Sequence, residues 1–409
     1  MAIGALIRDL RLARGWSQDN LADALNVALP DATITRSLVS RYESEGRLPT
    51  SSRLIEALSQ VLCAPESALR AEVKLSRVDR RIFLGLAGAS ALRPILGTGT
   101  ADADGHASRS ITAADIQAIN EITRSIGGLD NRFGGSRVHH TALQYLDSQV
   151  KPMIRDGRYS DQVGRGLYQA AARLGHLVAW TAYDMPASGD ATNFFGQALD
   201  LAIAADDTAF VGEVLAARSH RAIHVKQLAD ALQLAQASQA VGKRSGVPAL
   251  FAEACVLEAN ARALLGDSTM CASSLDRAEK AFDHADASNT PNWLSYLDAG
   301  YLAARFAHCL RDVGDLPRAR VFAGQATKMS SKLRRTQALN LNLLATTYVE
   351  SDPERACSLA SRVIALSSEI QSGRVTNYLS DLHRRLTEKH PNNVQVREFT
   401  EKYREYRGV

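Results

Sequence analysis

No two cysteines of this chain stand close enough to make a CxxC pair. Cys63, Cys255, Cys271, Cys309 and Cys357 are scattered and odd in number. That pattern excludes a disulfide framework and points to reduced thiols in a cytoplasm. It also argues against a structural zinc site, which needs clustered thiolates and imidazoles. Long apolar runs are missing too. A membrane span takes about 20 apolar residues, and the longest run, Ile82 to Leu92, is roughly half of that. Met1 to Leu12 carries Arg8, Asp9 and Arg11 in an amphipathic pattern, unlike a targeting signal. Charge of one sign is scarce: 48 basic side chains meet 44 acidic ones. The resulting +4 neither demands nor excludes a nucleic-acid partner.

Catalytic signatures are absent as well. Gly242-Lys243 lacks the upstream glycine and the following Ser/Thr of a phosphate loop. There is no GxSxG elbow and no Cys/His dyad. His220 and His224 stand four apart on an expected helix, a spacing that bridges a metal only with a third ligand, and none is apparent. His139-His140 reads as surface or packing. The expectation is a chain that is not an enzyme and holds no metal or cofactor.

What is present is helix. At 409 residues, 45% hydrophobic and 22% charged, the chain is long enough for two or three globular domains. Leu6, Ile7 and Leu10 share a helical face that Gly15 ends. Ser17 is placed to cap a second helix with Leu21, Ala22 and Leu25 on its apolar side. The breakers Pro30 and Asp31 follow. Thr35 is placed to cap a third helix to about Glu43, and a fourth is expected from about Ser52 to Leu62.

Short helix, turn, short helix with flanking helices is the helix-turn-helix plan. WSQDNLADAL followed by ITRSLVSRYESEGRLPT resembles the Cro/C1-type, or XRE, DNA-binding family. The matching features are Ser17-Gln18, Leu21-Ala22, and Val39 to Glu43 ending in Arg47-x-Pro49. The turn is longer than the family's by roughly half a dozen residues, and Glu45 stands where the family often has glycine. The resemblance implies a lambda-repressor-like domain over residues 1–70 whose third helix enters the major groove. Arg36, Ser37, Ser40 and Arg41 would then point at base edges, arginine by its bidentate fork to guanine, with Thr35 a further DNA-binding candidate at the start of that helix. Gln18 and Arg47 would hold phosphates, which set register. Residues 1–70 carry eight basic and eight acidic side chains, so bulk charge does not support this reading by itself. Such domains bind as dimers to half-sites about one helical turn apart, so a homodimer on a palindromic double-stranded operator is expected.

Ser76 to Gly97 has paired arginines, Arg80-Arg81, before an apolar run, the look of a twin-arginine export signal. A signal must lie at the N-terminus, and this one follows a complete domain. The expectation is a connecting helix over 71–97, then a flexible linker over 98–110 that is rich in Gly, Ala, Ser and Thr.

From residue 111 to 409 strand patterning is nearly absent. Paired amphipathic helices recur, joined by Gly-Asp or Ser-Asp turns at Gly189, Gly266, Gly314 and Ser351. A weaker copy lies at FVGEVLAARSHRAIHVKQLADALQLAQASQA. This resembles degenerate tetratricopeptide repeats, so the fold expected is all-α, a helix-turn-helix head before an α-solenoid. Such a solenoid has a concave face lined by the first helix of each pair. Trp180, Tyr183, Arg218, Arg221, Asn260, Tyr301, Arg305, Asn340 and Asn342 are the candidates there for a small peptide or small-molecule ligand. Trp180 and Tyr301 read equally well as repeat-core aromatics.

A head of this kind on such a body is similar to actinobacterial XRE/TPR regulators and to the peptide-sensing regulators of Gram-positive bacteria. The stretch GGSRVHHTALQYLDSQVKPMI is closer to the first group. The resemblance implies a cytoplasmic, dimeric transcription regulator, a repressor, with a quorum-sensing role if the ligand is a peptide. The competing expectation is an interaction scaffold with an accessory DNA-binding head.

Overall fold

The computed structural model describes residues 7–8, 11–12, 14, 16–45, 52–62, 109–185, 191–286, 288–329, 333–367 and 370–408. The connecting helix expected over 71–97, with Arg80 and Arg81, lies outside them, as do Arg47, Gly189 and the linker as far as 108. Residues 109–111 belong to the body: the Ile111 N–H donates to the Arg158 carbonyl at 2.8 Å, and the Arg158 N–H to the Arg109 carbonyl at 3.0 Å.

The described fold is all-α. The head contributes α1 (Gln18–Ala28), α2 (Arg36–Glu45) and α3 (Ser52–Val61). Ser17 caps α1 as expected. Its Oγ accepts from the Asn20 N–H at 3.1 Å, while Asn20 Oδ1 accepts from the Ser17 N–H at 2.9 Å. The core is Leu21, Ala22, Leu25, Val39, Tyr42, Leu54, Ile55 and Leu58, with Ile7 from the preceding segment. The long turn between α1 and α2 is held by one side chain. Asn26 donates to the Ile34 carbonyl at 2.8 Å and accepts from the Ile34 N–H at 2.7 Å. These two hydrogen bonds hold Ile34 in the core, while Pro30, Asp31 and Thr33 of the turn are exposed.

The body opens with α4 (Ala113–Phe133), α5 (Gly135–Tyr145) and α6 (Lys151–Asp156), the last two joined by a π-turn at Leu146–Val150. Six helical hairpins follow: α7 (Asp161–Tyr183) with α8 (Ala191–Ala204), α9 (Thr208–His224) with α10 (Leu228–Ser245), α11 (Pro248–Leu264) with α12 (Ser268–Phe282), α13 (Ala299–Asp312) with α14 (Leu316–Met329), α15 (Arg334–Thr346) with α16 (Pro353–Ser367), and α17 (Gly373–Lys389) with α18 (Val394–Arg407). Each helix packs on its hairpin mate. From α9 onward, each first helix also packs on the first helix of the next hairpin.

The Gly-Asp turns work as chain reversals for two separate reasons. Gly266 and Gly314 take left-handed φ values of 79° and 89°, which end the preceding helix. Asp267 and Asp315 then cap the next helix through the Met270 and Arg318 N–H groups. The weaker copy uses the same geometry without glycine. Asp206 and Lys226 take the left-handed positions at φ 55° and 62°, and Asp207 caps α9 through the Phe210 N–H.

Late elements return to early ones. Helix α4 packs on α15 as well as on α7. The Gln371 N–H donates to the Phe133 carbonyl at 2.9 Å, and the Gly373 N–H to the Asp184 carbonyl at 2.7 Å. The contact is too close for side chains at the glycine pair. A Cβ on Gly134, whose φ is 91°, would stand 2.2 Å from the Gln371 carbonyl oxygen, and one on Gly135 would stand 2.7 Å from that of Thr181.

At the centre of this closure is Asp184, fully buried. Its carboxylate accepts from Arg374 Nε at 2.8 Å, Arg335 Nη1 at 3.2 Å, Ser372 Oγ at 2.7 Å and the Gly135 N–H at 3.0 Å. Arg335 also makes a two-pronged pair with Asp130 at 2.7 Å on each prong. Burial alone would raise the Asp184 carboxyl, but the Arg374 and Arg335 guanidiniums outweigh it and hold the group below the usual carboxylate range.

Candidate nucleic-acid interface and inner face

Helix α2 has two faces. Val39 and Tyr42 are buried in the head core, and burial pushes the Tyr42 phenol up. Arg36, Ser37, Ser40, Arg41 and Ser44, spaced one, three and four apart, share the opposite side. There Arg36, Ser37 and Arg41 are exposed and Ser40 half-buried. The Arg36 guanidinium is 70% exposed and lies 3.8 Å from Asp19, a surface pair that a base edge displaces at little cost. Thr35 caps α2, its Oγ1 accepting from the Leu38 N–H at 3.3 Å and bonding Ser37 Oγ at 3.0 Å.

Gln18, at the start of α1, is half-buried. Its Nε2 donates to Glu43 Oε2 at 2.8 Å. Glu43 in turn takes Arg11 Nε at 2.6 Å and Nη2 at 3.0 Å, in a pair whose side chains are under a tenth exposed. Arg11 Nη1 reaches the Trp16 carbonyl. This network ties the segment before α1, the start of α1 and the end of α2 into one unit. It sets the angle at which the exposed face of α2 is presented.

Residues 2–73 match the family model of a helix-turn-helix domain. The head is a helix-turn-helix domain. No curated protein and no solved structure matched the chain. Beyond the helix-turn-helix domain, the described residues form the helical-repeat-like array above, and no described helix is long and apolar enough to cross a membrane.

The nine inner-face candidates all lie on first helices of hairpins, but they do not form one site. Trp180, Tyr183, Tyr301 and Arg305 converge. His220 stands 5.2 Å from the Trp180 ring and 5.8 Å from that of Tyr183, and His224 stands 5.2 Å from Tyr183. Helix α17 reaches into the same place: Tyr378 contacts His224 and His308, and the Arg374 guanidinium lies over Tyr183 at 5.1 Å. Arg305 Nε donates to the Tyr301 hydroxyl at 2.9 Å. The other candidates stand apart. Burial lowers Arg218, which faces Asp200 and Asp230 on the second helices. Asn340 donates to the Ala326 carbonyl of α14 at 3.2 Å, and Asn260 reaches Asp312 at 3.4 Å. Asn342 is buried, and Arg221 is half-buried. His220 and His224 are thus part of an aromatic cluster, and among the described residues no group of three potential ligands could hold a metal ion.

Two acids of this face escaped the sequence reading. Glu213 on α9 and Glu253 on α11 are 2% and 3% exposed. Tyr296 donates its hydroxyl to Glu213, 3.0 and 3.1 Å from the two oxygens, and Tyr301 donates to Glu253 at 2.7 Å. Burial, and then the Glu253 charge, push the Glu213 carboxyl up to about 8. Burial also raises Glu253, with Arg305 opposing. The signal available in the sequence was the setting, FVGEVLAA and LFAEACVL, where one acid interrupts an otherwise apolar run.

The sign of the pH effect follows. From the ordinary carboxylate range up to about 8, folded Glu213 holds a proton that the unfolded chain has released. Rising pH therefore costs stability across that window. Glu213→Gln, which cannot ionise, should flatten the loss between pH 5 and pH 8 by on the order of 2 kcal/mol in urea unfolding. An unchanged slope would remove Glu213 as its source.

Proposed function

We propose that the chain is a sequence-specific DNA-binding transcription regulator, a repressor, acting as a homodimer on a palindromic operator. The observation that carries this reading is the exposed face of α2, with Arg36, Ser37, Ser40 and Arg41 aligned on one side of a helix whose other side is fixed in a helix-turn-helix core. Arginine on such a face reads guanine, and each good bidentate pair discriminates by about 1–3 kcal/mol. The head is a single small unit, so a second copy is needed to bring specific affinity into range.

The array is the dimerising and sensing part in this reading, in the manner of tetratricopeptide-type bodies. A ligand that prefers one curvature of the array shifts the spacing of two heads, and a hundredfold preference supplies about 2.7 kcal/mol. The convergence of Trp180, Tyr183, His220, Arg305 and Arg374 supports placing that ligand on the inner face. The returning α17 favours a small molecule over an extended peptide, because Arg374 and Tyr378 already occupy the path along the hairpins. Genome-wide footprinting with the purified chain tests the DNA reading. Paired half-sites about one helical turn apart are expected, with protection that weakens as salt rises. Protection indifferent to both sequence and salt would refute it.

A further inference from the structure

The inner face has an unbalanced set of buried charges. Arg335 is matched by Asp130, Arg374 by Asp184, and Arg305 lies against Tyr301 and Glu253. Glu213 has no such match. Among the described contacts its one basic neighbour within 4 Å is His176, at 3.8 Å. Burial holds that imidazole down to about 3, and its Nε2 already accepts from Trp180 Nε1 at 3.0 Å. Among the described contacts, only the Tyr296 hydroxyl donates to Glu213.

Unpartnered polar atoms lie at Glu253 and in the neighbouring cluster that Arg305 joins to it. Glu253 Oε2 is buried and has no hydrogen-bond partner. The Tyr183 hydroxyl, on a side chain 2% exposed, has none, and neither has His220 Nδ1. Both belong to the cluster around Arg305 and Arg374. Buried polar atoms are nearly always paired, and an unpaired set on one face marks where a partner is missing. The surroundings are aromatic. His176 stands among Trp180, Phe195 and Phe210 at 5.3–6.1 Å, Trp293 packs on Phe210, and Tyr296 packs on Tyr301. Tyr296 is 40% exposed as a residue, while its hydroxyl is buried against Glu213.

We propose that the Glu213–Glu253 pair is the recognition point for the ammonium group of a small organic amine, whose hydrogen-bond acceptor is taken by the Tyr183 hydroxyl. The ammonium supplies the donors that Glu253 Oε2 and Glu213 lack, and the aromatic rings around them favour a cation over water. The amine replaces the proton that the acid pair otherwise holds. Two glutamates alone would also suit an inorganic cation, but no third ligand completes such a site among the described residues.

This assignment rests on the sensor reading of the array, and its test needs no DNA. The probe is phenylalaninol, which carries an ammonium group, a hydroxyl acceptor and an aromatic body; the control is its analogue lacking the amine. Titration into the full chain is followed by calorimetry and by the fluorescence of Trp180 and Trp293. Phenylalaninol should bind with a Kd of about 1 mM or tighter and at least tenfold better than the control. Calorimetry in buffers of different ionisation enthalpy should show release of about one proton at neutral pH, a signature that packing alone does not produce. Glu253→Gln and Glu213→Gln keep the side-chain shape and should each weaken phenylalaninol at least tenfold, and Tyr183→Phe should weaken it less. Failure to bind, equal binding of the control, or Gln variants that bind as well as the parent would overturn the proposal. Operator binding by the same samples, measured separately, stands or falls on the helix-turn-helix domain.

Discussion

Asp184→Ala should cost the body about 3–5 kcal/mol. The reason lies in what is left behind. Arg374 and Arg335 both donate to this carboxylate, and their side chains are 13% and 9% exposed. Removing the acid strands two guanidinium groups with little water to replace it. Asp130 still holds Arg335, but Arg374 is left with the Trp180 and Tyr183 rings alone among the contacts described. Ser372 Oγ and the Gly135 N–H lose their acceptor as well. A drop in Tm of more than about 6 °C is expected, together with faster hydrogen exchange at residues 371–374. Asp184→Asn, which keeps the volume and some acceptors, should fall in between. A Tm within a degree or two of the parent for the alanine variant would mean that the return of α17 to α4 and α7 does not hold the array together.

Glu43→Ala should abolish DNA binding without touching the face that reads DNA. A head of this size has little stability to spare, about 3–5 kcal/mol from a single small core. Glu43 is the only acid paired with Arg11 among the described contacts, and both side chains are nearly buried. Cutting the pair on one side costs about as much as the domain possesses. The expected readout is a chain whose body unfolds at its usual temperature while the first, small transition is missing. Replacing both partners by apolar residues, Arg11→Met with Glu43→Leu, should recover the head to within about 1 kcal/mol, because no buried charge is then left alone. If Glu43→Ala still binds its operator, the Arg11–Glu43–Gln18 network does not organise the domain.

The local grammar of this fold is legible in its residues, and the long-range part is not. Ser17 before Gln18, Thr35 before Arg36 and aspartate after the turn glycine each act through a side chain within three positions, so spacing alone reveals them. The α9–α10 hairpin is harder to see because Asp206 and Lys226 adopt the backbone that glycine marks elsewhere. The last hairpin, α17–α18, lacks the alanine-rich character of the others, so its kinship with them is harder to see. The Asp130–Arg335 pair joins residues 205 positions apart, and Arg11–Glu43 joins residues 32 apart. No periodicity encodes such pairings. The inner face was half-legible: the first helices supplied the candidates, but nothing in their spacing told which of them, Trp180, Tyr183, Tyr301 and Arg305, would come together. The asparagines were misleading, because Asn340 serves the packing of α14 on α15 and Asn260 reaches Asp312. Glu213 and Glu253 were overlooked among many surface acids, although their apolar neighbours set them apart.

The most direct test of the central claim is fluorescence anisotropy with a footprinted operator and a scrambled duplex, over a range of salt, for the parent chain and the Arg36→Ala/Arg41→Ala double variant. Both side chains are exposed, so the variant should fold as the parent does. The parent should prefer the operator, and the double variant should lose about 2–6 kcal/mol of that preference while keeping weak, salt-sensitive binding to either duplex. A double variant that distinguishes the two duplexes as well as the parent does would show that α2 is not the element that reads DNA.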